Sequence, residues 1–180
     1  MDLKDKVVVI TGSSKGLGRA LAIAFHKAGG RVIVSSSDQD RTESVAREIG
    51  ATPFTADVTK MQDISNLANF ALQKFGAIDI WINNAGITFP AQGLKIEAMD
   101  LEATHRVMEV NFFGTLYGSY KALEVMKERR KGVIVNIISI RALSGDVRMG
   151  VYTASKWAAR GLTEALQHEA RADNIKVVAV

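Results

Sequence analysis

A chain of 180 residues with 47% apolar and 23% charged side chains has the balance of a folded globular domain, long enough to bury roughly 70% of its unfolded surface. The formal charge of +4 is dispersed except at Lys127–Lys131 (KERRK), which precedes Gly132 as cations precede a helix-capping glycine, so no nucleic-acid partner is expected. The absence of Cys excludes a disulfide framework, a thiolate metal site and a catalytic thiol.

The N-terminus, MDLKDKVVVI, is charged and then strand-like, and lacks the apolar stretch and cleavage site of a secretory signal. No uncharged apolar run approaches the ~18 residues of a membrane span, so a cytoplasmic protein without membrane insertion is expected. Val7–Ile10 reads as a first strand, followed by a glycine-rich turn and an amphipathic helix ending at Gly29-Gly30. Arg31–Val34 is a second strand, and TESVAREIGA a helix closing at Gly50. ATPFTADV supplies a third strand, MQDISNLANFALQKFG a helix, and IDIWINNAG a fourth strand running into a turn. One long helix is predicted over MDLEATHRVMEVNFFGTLYGSYKALEVMKERR, then a fifth strand, GVIVNIIS. A helix beginning at YTASK (Tyr152–Lys156) leads to a sixth strand, IKVVAV.

Strands that are apolar along their whole length and alternate with helices belong in a parallel sheet covered on both faces. The predicted fold is doubly wound α/β, a Rossmann fold, in one domain over residues 1–180. No short repeat, low-complexity tract or proline-rich linker marks a boundary. The chain reads as truncated in its sixth strand, its C-terminal part missing.

Between the first strand and first helix lies Thr11–Gly18, TGSSKGLG. Glycines permit positive φ and close approach of the backbone, and a helix N-terminus offers amides and a positive dipole to a pyrophosphate. A dinucleotide is expected here, with Gly12, Ser14, Lys15, Gly16, Leu17 and Gly18 forming the cradle. The TGxxxGxG spacing resembles that of the short-chain dehydrogenase/reductase family. The resemblance continues in order through Asp57-Val58, NNAG at Asn83–Gly86, Asn111, Ser139 and the YxxxK of Tyr152 and Lys156, and so covers the whole chain.

That resemblance implies NAD or NADP as cofactor. In the family an acid after the second strand commonly holds the ribose of NAD, whereas Ser36 stands at that place here. Lys15 in the turn, with Ser36 and Ser37 as donors, favours a 2′-phosphate and hence NADP; Arg41 is a further candidate, and Asp38 is the residue that would favour NAD. By the same resemblance Asp57 meets the adenine amino group beside Val58, and Asn83, Ala85 and Gly86 line the cofactor path, Asn83 serving the sheet as well.

Reduction of a ketone must deliver a proton to its oxygen, and the reverse reaction must remove one. A phenol ordinarily ionises near pH ~10, too high for a good base, but an ammonium nearby favours the phenolate. Tyr and Lys four residues apart on a helix share a face, so Tyr152 and Lys156 form such a pair. The resemblance assigns Tyr152 as general acid/base, with Lys156 supporting it and holding the nicotinamide ribose. Ser139, thirteen positions before Tyr152, would orient the substrate oxygen, and Asn111 would organise a proton relay. Many relatives have two hydroxyls where this chain has Ile138-Ser139, leaving a single one. His26, His105 and His168 lie on separate helices without metal-ligand spacing, and no metal is expected.

The implied activity is NADP(H)-preferring oxidoreduction between a carbonyl and a secondary alcohol, in a homodimer or homotetramer associating through the long helix and the YTASK helix. A truncated nucleotide-binding module without turnover is the alternative. An extended epimerase or dehydratase also uses YxxxK, but the TGxxxGxG spacing argues against it. The segment RALSGDVRMGV, with Leu143, Met149 and Val151, is expected to wall one side of the substrate pocket; Arg141 and Arg148 are expected to be solvated.

Overall fold

The computed structural model describes residues 2–88 and 95–180. Among them, six parallel strands form one sheet in the order β3-β2-β1-β4-β5-β6: β1 (Val7–Thr11), β2 (Arg31–Ser36), β3 (Thr52–Thr55), β4 (Ile80–Asn83), β5 (Gly132–Asn136) and β6 (Ile175–Ala179). Val8 on β1 stands opposite Val32 on one side and Ile80 on the other. With neighbours on both edges and helices on both faces, all five residues of β1 are buried, which is why its sequence shows no polar alternation.

The helices are α1 (Gly16–Lys27), α2 (Gln39–Ile49), α3 (Met61–Phe75), α4 (Leu101–Met108), α5 (Gly114–Arg129) and α6 (Gly150–Ala170). One core layer packs Ala22 of α1 and Val45 of α2 on Val8, Ile10, Val32 and Val34. The other packs Ile64 and Leu67 of α3, Met126 of α5 and Leu166 of α6 on Val9, Trp81 and Ile134. The chain winds outward from β1 to β3, then returns across β1 to place β4 on its other side. The strand ends at that reversal leave a crevice, the usual ligand position in a doubly wound sheet.

Two elements differ from expectation. The third strand is shorter than predicted: β3 ends at Thr55, and Ala56 N–H bonds the Ser36 carbonyl before Asp57 and Val58 leave the sheet. The predicted long helix is interrupted by a π-turn over Glu109–Phe113, where Gly114 N–H reaches back five residues to the Glu109 carbonyl. Such turns occur often at functional sites. This one lies around Asn111, which is fully buried.

A buried polar chain joins β4, β5, α5 and α6. Trp81 Nε1 donates to Asn83 Oδ1 at 2.7 Å, and Asn83 Nδ2 donates to Ser119 Oγ at 3.0 Å and to Asn136 Oδ1 at 2.8 Å. Asn136 Nδ2 then donates to Thr163 Oγ1 at 2.9 Å, two turns beyond Lys156 on α6. Gly118 makes room for this chain, since a Cβ there would fall 2.0 Å from Asn83 Oδ1. Asn83 thus serves the sheet as expected.

Candidate active site

The glycine turn is fixed from two directions. Ser13, buried, donates to the Ile10 carbonyl at 2.6 Å and accepts from Ser35 N–H at 2.9 Å, so the turn is latched to β2. From the other side, Asn84 Nδ2 donates to the carbonyls of Thr11 and Gly12 at 2.9 and 3.0 Å, while Thr11 Oγ1 accepts from the N–H groups of Asn84 and Ala85. Gly12 has φ +63°, and a Cβ on it would lie 2.7 Å from Ala85 Cα. A Cβ on Gly18 would lie 2.4 Å from both the Gly12 carbonyl oxygen and Asn84 Nδ2. Only glycine fits either position, so the backbone cradle at the start of α1 depends on both.

The α1 N-terminus carries no side-chain cap and no acid in its first turn, a polarity that suits a phosphate. A cleft of about 710 Å³ opens there. It runs from Gly12 and Ser14–Gly18 past Ser36–Asp38, Asp57-Val58 and Asn84–Thr88 to Tyr152 and Lys156. The residues assigned to phosphate, purine and proton transfer therefore share one continuous hollow, although they come from five segments of the chain.

Beyond β2, Ser36 is already engaged. Thr42 Oγ1 donates to the Asp38 carbonyl at 2.7 Å and so accepts from Ser36 Oγ, also at 2.7 Å, while Ser36 Oγ accepts from Asp38 N–H at 3.3 Å. The Ser36 hydroxyl is thus held within its own turn while it lines the cleft. Ser37 and Lys15 are exposed at the cleft. Asp38 caps α2 by accepting from Arg41 N–H at 3.0 Å and pairs with the Arg41 guanidinium at 3.2 Å.

At the other end, Lys156 is 4% exposed and donates from Nζ to the Ile137 carbonyl at 3.0 Å. Burial lowers its pKa from 10.5 to about 8. Its Nζ lies 5.8 Å from the Tyr152 ring centroid, so α6 brings the pair together as the four-residue spacing requires. Asn111 uses its whole amide: Oδ1 accepts from Ile87 N–H at 2.8 Å, and Nδ2 donates to the Ile87 carbonyl at 2.9 Å and to Ser155 Oγ at 3.0 Å. Ser155 in turn donates to the Tyr152 carbonyl at 2.7 Å. The π-turn is thereby clamped both to the segment after β4 and to the first turn of α6.

Ser139 stands just past the cleft-lining Ile137 and Ile138 in extended backbone, where Oγ accepts from Arg141 N–H at 3.2 Å. Its own proton has no acceptor among the described residues. Arg141 pairs with Asp146 at 2.6 Å, which removes it as an anion receptor. Leu143 is exposed, and Met149 and Val151 are half-buried.

Sequence reasoning missed Asn84, Arg106, Val110, Ile137 and Ile138 as cleft residues. Asn84 was legible as part of NNAG. Arg106 and Val110 reach the cleft only because the π-turn and α4 lie across it, and no local pattern signals that.

The family model for short-chain dehydrogenases matches residues 6–180. An uncharacterised oxidoreductase of Staphylococcus aureus (strain MRSA252) is 32% identical over 99% of this chain and 77% of its own length. Another from Staphylococcus saprophyticus is 31% identical over 100% of this chain and 78% of its own. A crystal structure of ribose-5-phosphate isomerase from Brucella melitensis 16M superimposes with a TM-score of 0.93 at 26% identity, covering 99% of this chain and 68% of that one. A glycine cradle, a helix N-terminus and a Tyr–Lys pair in one cleft agree with the family match, and the chain belongs to the short-chain dehydrogenase family of oxidoreductases, which use NAD(P).

Proposed function

We propose that the protein is an NADP(H)-preferring oxidoreductase that interconverts a carbonyl and a secondary alcohol. The observation that carries the reading is the continuity of one cleft from the glycine turn to Tyr152 and Lys156. The cradle suits a dinucleotide, because Gly12 and Gly18 let the turn close tightly on Asn84 and Ala85 and the uncapped start of α1 faces the cleft. Gly12, Ser14, Gly16, Leu17 and Gly18 would hold the pyrophosphate, Ala85 and Gly86 would border the path toward the nicotinamide, and Asp57 with Val58 would meet the adenine. When bound, the cofactor supplies or accepts the hydride.

The side chains perform the proton chemistry. Ser139, whose proton has no acceptor among the described residues, donates to the substrate oxygen and sets its position. The Tyr152 hydroxyl delivers the proton as charge develops on that oxygen and removes it in the reverse direction. The Lys156 ammonium favours the phenolate left behind, and Ile137 holds Nζ in place. Asn111 acts one step away: its fully bonded amide fixes the backbone on which Tyr152 is carried.

The preference for NADP rests on Lys15 and Ser37, both exposed at the cleft, and on the lack of a carboxylate at Ser36. Arg41 contributes less because Asp38 already neutralises it. The subunits are proposed to associate through the α5–α6 surface. There Leu116, Tyr120, Leu123 and Leu162 line an apolar groove and Tyr120 is 58% exposed.

The test is turnover of a panel of ketones and aldehydes with NADPH and with NADH, beside fluorescence titration of both cofactors. NADPH-dependent reduction of some carbonyl is expected, with tighter binding of NADPH. Tighter binding of NADH would remove the NADP preference. Binding without turnover across the panel would favour a nucleotide-binding module.

A further inference from the structure

Arg106 lines the cleft beside Asp57 and Val58. The two oxygens of the Asp57 carboxylate are used differently. Oδ1 accepts from Thr59 N–H at 3.0 Å and from the Thr59 hydroxyl at 2.8 Å, which saturates it. Oδ2 faces Arg106, whose Nη2 stands 3.6 Å away. The same guanidinium donates through Nη1 to Thr59 Oγ1 at 3.3 Å, so the Thr59 hydroxyl gives its proton to Asp57 and receives one from Arg106. Glu109, one turn along, pairs with Nη1 at 3.7 Å and holds the guanidinium from behind. Asp57 N–H is itself fixed by Asp63 Oδ2 at 3.0 Å.

This linkage is more than surface pairing. The Asp57 side chain is only 22% exposed, whereas Arg106 is 48% exposed. Burial acts to raise the Asp57 pKa, yet it lies below its ordinary value, because the Thr59 hydrogen bonds and the charges of Arg106 and Lys60 favour the anion. An ion pair so exposed on one side adds little to stability. Its effect falls on the orientation and ionisation of a carboxylate with one oxygen still free to accept.

Resting on the cofactor reading above, we infer that Arg106 is a positioning residue for purine recognition: with Thr59 it fixes the Asp57 carboxylate as an acceptor, so that the site takes a 6-amino purine and rejects a 6-oxo purine. An exocyclic amino group donates to Oδ2. A 6-oxo group turns lone pairs toward a carboxylate that Thr59 and Arg106 prevent from rotating away. A buried acceptor left facing an acceptor discriminates more strongly than a missing apolar contact does.

The test measures binding of NADPH and of its hypoxanthine counterpart by fluorescence titration, for wild type, Arg106→Met, Arg106→Gln and Asp57→Ala. Wild type is expected to favour the adenine form about tenfold or more. Asp57→Ala removes the preference, and both Arg106 variants reduce it to about threefold or less with little change for the hypoxanthine form. Ala103 and Val107 carry the packing of α4, so these variants are expected to fold. A preference unchanged in the Arg106 variants but lost in Asp57→Ala overturns the inference and leaves Asp57 as the purine acceptor. Equal weakening of both forms in the Arg106 variants also overturns it, in favour of a general packing role. No preference in wild type overturns both the inference and the Asp57 reading.

Discussion

Lys156→Met is expected to stabilise the fold at neutral pH while abolishing the proposed chemistry. The ammonium is almost wholly buried, and its displacement from 10.5 to about 8 comes from burial alone. At about 1.4 kcal/mol per pH unit, that displacement corresponds to roughly 3 kcal/mol of destabilisation by the charged form. Met preserves the stem but leaves the Ile137 carbonyl without its donor, a loss of about 1–2 kcal/mol. The net gain at neutral pH is therefore about 1–2 kcal/mol. Below about pH 8 the folded and unfolded wild-type chains both hold the proton, so the full cost of the buried charge is present. Between about 8 and 10.5 the unfolded chain holds a proton that the folded chain has released, and wild-type stability rises with pH relative to the variant. Above 10.5 the variant's advantage is gone, and it is the weaker of the two by the lost hydrogen bond. Urea unfolding followed by far-UV circular dichroism, at fixed protomer concentration, measures the difference at each pH. Titrating groups away from Lys156 are common to both proteins and cancel, and adding Tyr152→Phe to both backgrounds removes the one neighbour that does not. A difference that does not change with pH, or a variant already less stable at neutral pH, would refute the reasoning.

Gly118→Ala should destabilise by about 3 kcal/mol or more, because its Cβ would displace Asn83 Oδ1 from a fully buried network; a shift in urea midpoint measures it. Gly86→Ala is a milder change, with its Cβ 3.4 Å from Asn111 Oδ1 and 3.5 Å from Lys156 Nζ. Stability should change by less than about 1 kcal/mol, while kcat falls by about tenfold as the methyl covers the polar approach to the ammonium. Lys15→Ala should weaken NADPH about tenfold and NADH by less than about twofold in parallel titrations, since only the former presents a 2′-phosphate.

The alternation of buried strands with helices was legible because a parallel sheet with two covered faces leaves uninterrupted apolar runs, Val7–Ile10 on β1 and Val32–Val34 on β2. The Tyr152–Lys156 pairing was legible for an equally local reason, since helix geometry fixes the relation of residues four apart. The KERRK cluster ends α5 as expected, but Arg130 in the left-handed region closes the helix in place of Gly132, which instead opens β5. Lys127 and Arg130 pair with Asp173, and Arg129 with Asp79, so acids from distant segments neutralise it. What escaped the sequence was set by long-range contact. The widened turn at Asn111 was not legible because the groups that hold it, Ile87 and Ser155, lie on segments far along the chain. Nor was the hold on Ser36 legible, because its partner, Thr42, lies on the following helix and nothing in the strand identifies it. Arg106 joined the site only when α4 crossed the loop after β3.

The most direct measurement is turnover of NADPH with a carbonyl substrate by Tyr152→Phe beside wild type, with NADPH affinity measured on the same samples. Loss of the hydroxyl alone should lower kcat by about 10²–10⁴-fold, the usual contribution of a positioned acid/base, and leave NADPH affinity within about twofold. Undiminished turnover in Tyr152→Phe would contradict proton transfer by Tyr152.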